Sequence, residues 1–151
     1  SDIAWTPADF LKLSLLSTKM DVVCGAYCQK KEPPVFAFAG FASDTSNEFG
    51  CIDTLGLGLG FTIVHRKIIE ELAAKAPRLK FPDVAEPVAH IFHCDTTGDE
   101  FRGEDIAFFN DVRSLGYKVW LDPTITLSHF GSKAYSARFM DFLTTEPVAQ
   151  P

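Results

Sequence analysis

The apolar positions of this chain fall into short blocks of two kinds, and the alternation between the kinds sets the expected architecture. Thr6-Pro7-Ala8-Asp9 carries a helix-start signal, a threonine able to cap followed by a proline suited to the first helical position, and apolar Phe10, Leu11, Leu13, Leu15 and Leu16 come next. Val22-Val23-Cys24-Gly25-Ala26 is instead an uninterrupted apolar run, the pattern of a strand buried on both faces. Pro33-Pro34 breaks the chain before the apolar residues 35–39, and the polar residues 43–48 read as a turn or exposed loop, so a hairpin at a sheet edge is expected there. The alternation Leu55-Gly56-Leu57-Gly58-Leu59-Gly60 passes into a strand at residues 61–64, and residues 65–72 have helical spacing. Residues 76–100 show no sustained period and predict a long loop, with the stretch 96–102 suited to a lid over an active site. Residues 103–116 form the strongest predicted helix, with Ile106, Phe108, Phe109, Val112 and Leu115 inward, Asn110, Asp111 and Arg113 outward, and Gly116 as the stop. A strand at 117–121, a turn at Asp122-Pro123, a half-exposed strand at 124–129 and a short helix at 134–143 complete the pattern. The expectation is one domain over residues 1–143, with a frayed tail at 144–151.

Composition narrows the function classes. At 151 residues with 46% hydrophobic and 23% charged residues, the chain can bury one ordinary core and lies far from the disordered regime. A formal net charge of -6 argues against a broad phosphate-binding surface, so nucleic acid is not an expected partner. No apolar run approaches the roughly 20 residues that span a bilayer, so no membrane span is expected. Cys24, Cys28, Cys51 and Cys94 are even in number, but a chain this size and this apolar does not need a disulfide framework; free thiols and a cytoplasmic location follow. Fourteen Phe stand against three Tyr, which points to rings used for packing. The start Ser1-Asp2-Ile3-Ala4-Trp5, abrupt and without Met, suggests a fragment or a processed product.

The candidate chemistry lies near both ends. Glu104 and Asp105 open the strongest helix, where the partly positive amide end favours ionised carboxylates, and His129 ends a strand from which it can present an imidazole to the same edge. Taken singly these residues have ordinary explanations, a dipole-complementing first turn and a structural histidine. Gly56-x-Gly58-x-Gly60 lacks the spacing and the strand-to-helix setting of a dinucleotide fingerprint, and reads as a flexible, close-packed or acceptor-lining segment. Cys24, Cys28, His90, His93 and Cys94 could be assembled into a zinc site, but their spacing fits no standard finger.

The run Gly103-Glu104-Asp105-Ile106-Ala107-Phe108-Phe109, then Leu115-Gly116-Tyr117-Lys118-Val119-Trp120-Leu121-Asp122-Pro123, then His129-Phe130-Gly131, resembles the C-terminal half of GT-A-type nucleotide-sugar glycosyltransferases. Upstream, residues 1–7 are similar to the end of that family's Asp-x-Asp motif, residues 21–27 to its following strand, and residues 55–61 with Val64-His65-Arg66 to its glycine-containing segment. The resemblance implies an α/β fold with a mixed sheet flanked by helices, and metal-dependent transfer of a sugar from a nucleotide-sugar donor to an acceptor. It implies Asp2 and His129 as ligands of Mn²⁺ or Mg²⁺, Asp105 as general base with Glu104 orienting the acceptor, and Trp5, Gly58, Gly60, Arg102 and Lys133 in contact with donor or acceptor. The family's first half, which holds the nucleotide base and ribose, has no counterpart in these residues. A second expectation therefore stands beside the first: a non-catalytic binding or assembly module, derived from a truncated glycosyltransferase and forming a homo-oligomer through its sheet edge.

Overall fold

A computed structural model describes residues 2–97 and 99–144; of the predicted tail at 144–151, residues 145–151, like Ser1, lie outside the described residues. After a two-residue strand, β1 (Ile3–Ala4), the Thr6 signal works as read. The Thr6 hydroxyl accepts from the Asp9 amide at 3.2 Å, the Asp9 carboxylate accepts from the Thr6 amide at 2.9 Å, and this capping box with Pro7 in the first turn starts α1 (Pro7–Ser17). The helix buries Leu13 and leaves Phe10, Leu11 and Leu15 exposed.

The remaining elements are β2 (Val22–Gly25), β3 (Phe41–Ser46), β4 (Ile52–Thr54), β5 (Thr62–Val64), α2 (Arg66–Lys75), β6 (Arg78–Leu79), β7 (Val88–Ala89), β8 (Asp95–Thr97), β9 (Glu100–Arg102), α3 (Glu104–Ser114), β10 (Trp120–Asp122), β11 (Ser128–Phe130), β12 (Ala134–Ser136) and α4 (Phe139–Thr144). The main sheet has five strands in the order β3-β4-β10-β2-β5. β2 and β10 run parallel, with Val23 beside Trp120 and Cys24 beside Leu121, while β2–β5, β10–β4 and β3–β4 are antiparallel. The expected mixed α/β sheet is thus present. β1, β11 and β12 make a second, antiparallel sheet of three.

The all-apolar β2 is explained by a core on each face. Val22 and Cys24 join Ile68 and Leu72 of α2, Phe108, Phe109 and Val112 of α3, and Phe139 of α4. Val23 joins Leu13 of α1, with Ile3, Phe61, Ile125 and Leu127. Successive strand residues point to opposite faces, so a strand between two helical layers must be apolar throughout.

Three elements differ from the sequence expectation. The polar residues 43–46 belong to strand β3 and the hairpin turn sits at Asn47–Gly50, where the Asn47 side chain accepts from the Phe49 and Cys51 amides. β3 is an edge strand exposed along almost its whole length, so no buried face imposes a period on it. Residues 134–136 form strand β12 against β11 rather than the start of a helix, and only α4 is helical. The predicted long loop at 76–100 holds two short ladders, β6–β7 and β8–β9, the latter on the stretch expected to act as a lid. Among the described residues no helix is long and apolar enough to cross a membrane.

Candidate functional site

The register of the small sheet brings the two ends of the chain together. Ile3 pairs with His129, and the Phe130 amide donates to the Asp2 carbonyl at 2.8 Å, so the side chain of Asp2 lies beside the imidazole of His129, with Oδ2 and Nε2 3.3 Å apart. The other ring nitrogen, Nδ1, is 2.9 Å from the Cys28 carbonyl. A carbonyl only accepts, so Nδ1 donates to it and carries a proton. Nε2 faces the carboxylate at hydrogen-bonding distance, a place for a shared proton or a cation. Lys30 supplies a nearby charge, its Nζ 2.6 Å from Asp2 Oδ2, and this contact holds the Asp2 pKa down to about 2. Gly131 clears the way for that lysine: a Cβ there would stand 3.1 Å from Lys30 Cδ.

The second part is the start of α3. Gly103 at its N-cap has no side chain to offer, and the first turn carries exposed Glu104 and half-buried Asp105. Burial pushes the Asp105 pKa above the usual carboxylate range, and neighbouring Glu104 adds to the rise, against the pull of the Leu59 amide. An acid with raised proton affinity at a site rim has the character of a general base.

Tyr27, which the sequence reading passed over, joins the two parts. Its ring stands edge-on to His129 with centroids 5.2 Å apart. Burial, then the charges of Asp105, Asp2 and Glu104, raise its pKa. The ring lies directly over the glycine segment: a Cβ on Gly58 would stand 2.2 Å from the hydroxyl, and one on Gly60 2.8 Å from Cε1. Gly58 and Gly60 are therefore close-packed, and their spacing is the imprint of the tyrosine. A signal for Tyr27 was available. It is one of three tyrosines among many phenylalanines, and it follows the C-terminal end of a buried strand, where open α/β sheets bind ligands.

The other sequence candidates are spread around this centre. Lys133 is ion-paired with Glu32 and stands 5.3 Å from the Tyr135 ring centroid. Arg102 is half-buried at the end of β9. Trp5 is half exposed, packs on Phe10 and Phe61, and borders a pocket of about 200 Å³ that Leu59 and Gly60 also line. Cys24 and Cys28 are buried in the core with Phe36, whereas Cys94 is exposed, 4.0 Å from a Glu104 carboxylate oxygen. His90 and His93 line a separate cleft of about 190 Å³ between α2 and α3 that contains none of the cysteines. Among the described residues no group of three or more His, Cys, Asp or Glu side chains could hold a metal ion, so Asp2 and His129 stand as a pair.

Comparison with protein-family models and with curated proteins gives no match. Among solved structures the chain is similar to A197 from STIV, at 24% identity and a TM-score of 0.48, over 86% of this chain and 54% of that one. The chain spans about half the length of that protein.

Proposed function

We propose that the chain carries the acceptor side and part of the donor side of a metal-dependent glycosyltransferase of GT-A type. The observation that carries this reading is the setting of Tyr27, whose ring stands edge-on to His129 beside Asp2 and whose pKa is raised by burial and by the charges of Asp105, Asp2 and Glu104. Asp2 Oδ2 and His129 Nε2, 3.3 Å apart with the imidazole tautomer set by the Cys28 carbonyl, fit two neighbouring ligands of one Mn²⁺ or Mg²⁺. Such ions commonly take one or two protein groups and complete their shell with substrate phosphates and water, which suits a pair better than a closed protein cage. When bound, the ion would neutralise charge on a departing diphosphate. Lys30, already at Asp2, is placed to meet the same phosphates.

On the other side, the acceptor hydroxyl gives its proton to the Asp105 carboxylate as its oxygen bonds to the anomeric carbon. The bond from that carbon to the diphosphate breaks, and its electron pair leaves with the diphosphate. Glu104, exposed beside Asp105, accepts a further acceptor hydroxyl. Free thiols agree with the cytoplasm as the place of action.

Calorimetric titration with UDP and GDP, with and without Mn²⁺, tests the donor half. Metal-dependent binding supports the reading, and its absence in a folded sample sinks it for this chain. Full turnover by a Glu104→Ala, Asp105→Ala double variant would remove the proposed base.

The apolar face of α1 favours a second reading, a non-catalytic assembly module. Leu11 and Leu15, one turn apart, are 61% and 71% exposed, beside Phe10. The sheet edge named by the sequence is a poorer surface, because β3 is polar. Light scattering that finds a monomer at high concentration would dismiss self-association.

A further inference from the structure

The backbone register fixes where His129 stands but not how its ring is turned. His129 pairs with Ile3 on one side and Tyr135 on the other, which places it in the middle strand of the small sheet. Its ring still has a staggered first torsion and a broad, twofold second one, and a half-turn about the second exchanges the places of nitrogens and carbons. The hydrogen bond from Nδ1 to the Cys28 carbonyl is one restraint, and a ring held at one atom can still pivot about it. The second restraint is Tyr27, whose ring meets the imidazole with centroids 5.2 Å apart and planes at 76°, a favoured aromatic geometry. Consecutive residues 27 and 28 thus act on one imidazole, the first with its ring and the second with its carbonyl. Tyr27 is itself wedged in place. A Cβ on Gly60 would stand 2.8 Å from Tyr27 Cε1 and 2.9 Å from Ile3 Cγ1, and Ile3 is the ladder partner of His129.

We propose that Tyr27 is a positioning residue for His129 and that it acts through its ring, not its hydroxyl: the ring blocks the pivot about the Cys28 carbonyl and keeps Nε2 at Asp2, 3.3 Å away. This deepens the reading above and rests on it for its purpose, because two ligands of one ion bind it best when both are in place before it arrives. The hydroxyl has no direct part. Both imidazole nitrogens are committed, one to the Cys28 carbonyl and one to Asp2, so no nitrogen is left for the phenol oxygen, which lies over Gly58. The glycine segment gains a role in turn. With a methyl at Gly60, Tyr27 Cε1 would have to retreat by roughly 0.7 Å to reach an ordinary carbon–carbon separation, so the backbone at Gly60 sets the tyrosine ring and the ring sets the imidazole.

The test is a long-range ¹H–¹⁵N spectrum of the histidine side chains at pH 8, with a calorimetric Mn²⁺ titration beside it, on the full chain as wild type, Tyr27→Phe, Tyr27→Leu and Gly60→Ala. Wild type and Tyr27→Phe should show one His129 tautomer, protonated at Nδ1, and Mn²⁺ affinities within about twofold of each other. Tyr27→Leu should populate the other tautomer as well and bind Mn²⁺ about threefold to tenfold more weakly, the worth of one aromatic pair, and Gly60→Ala should move both readouts the same way. A residue needed only for packing would lower the melting temperature and leave the tautomer alone. A folded Tyr27→Leu with the wild-type tautomer overturns the proposal, as does a Tyr27→Phe that behaves like Tyr27→Leu, since the hydroxyl would then carry the effect. If Tyr27→Leu does not fold, Gly60→Ala decides by the same criterion. The two ideas separate: a wild type that binds no Mn²⁺, with the second tautomer appearing in Tyr27→Leu, supports the positioning and defeats the metal pair, while Mn²⁺ binding with the tautomer unchanged in Tyr27→Leu defeats the positioning alone.

Discussion

Gly58→Ala isolates one physical effect at the centre of the site. Gly58 has φ -65° and ψ 138°, which alanine adopts freely, so backbone strain does not enter. The added methyl would stand 2.2 Å from the Tyr27 hydroxyl, 2.5 Å from Cζ and 3.1 Å from Cε1. Atoms at rest are roughly 3.5 Å apart, so the phenol end of the ring must retreat by about 1 Å. Overpacking of this kind costs about 1–3 kcal/mol. Replacing glycine where alanine fits the backbone returns about 0.4–1 kcal/mol through the unfolded chain. The net expectation is a loss of about 1–2 kcal/mol.

Urea denaturation of Gly58→Ala, Tyr27→Ala and the double variant measures it. Tyr27→Ala removes all three clashing atoms, so Gly58→Ala should cost nothing in that background, and the cycle should show a coupling of about 1.5–3 kcal/mol. If the two losses add to within about 0.5 kcal/mol, the tyrosine does not lie over Gly58 and the joined site is wrong.

The same geometry makes further predictions. Arg113→Met should lower stability by about 3 kcal/mol, because the buried Asp53 carboxylate loses its 2.7 Å partner and only Lys118, at 3.8 Å, remains; a urea-measured loss under about 1 kcal/mol would refute the role of that ion pair. Asp105→Asn should raise the melting temperature at pH 7. The folded pKa of Asp105 lies above its ordinary value of 3.8, so ionisation above that value costs stability, and the gain should shrink as pH falls toward 4. Lys30→Met removes the cation 2.6 Å from Asp2 and should tighten Mn²⁺ binding several-fold by calorimetry; weaker binding would mean that Lys30 does not compete for the carboxylate. Of the four thiols only Cys94 is exposed, while burial pushes the Cys51 pKa up to about 11 and raises that of Cys24 further, so a disulfide reagent should label one thiol in the native protein and four in denaturant.

The elements legible in the sequence were those whose burial wrote a pattern. Val22–Gly25 is apolar on both faces because α1 packs on one and α2, α3 and α4 on the other. The start of α1 was legible because Thr6 and Asp9 cap it locally. β3 was not, because a strand exposed on both faces carries the composition of a loop. Arg113 read as a solvent-facing residue, yet it reaches across to Asp53 and the Thr54 carbonyl, and a partner 60 residues away leaves no local trace. Of the proposed site, Glu104, Asp105, Asp2 and His129 were named from motifs in the sequence. Tyr27 left no such trace, because its contacts are two glycines and a histidine from elsewhere in the chain.

The parallel contact between β2 and β10 explains why these pieces meet. Strands that run parallel end at the same edge, so the segments that follow them emerge side by side. After β2 come Tyr27, Cys28 and Lys30. After β10 the chain turns at Asp122, whose carboxylate accepts from the Thr124 amide at 2.9 Å and lies 2.6 Å from Lys12 of α1. It then passes through buried Ile125 and Leu127 to His129, whose Nδ1 donates to the Cys28 carbonyl. β5, antiparallel to β2 on its other side, begins at that same edge, and the turn Leu59–Phe61, whose Gly60 lies against the Tyr27 ring, leads directly into it. One edge thus receives two strand ends and one strand start, and the proposed site is held there by Asp2 through β11, His129 through the Cys28 carbonyl and Tyr27 through its packing on Gly58 and Gly60. Side chains held this way keep their geometry before any ligand arrives, which is the condition for binding energy to go into orientation rather than ordering.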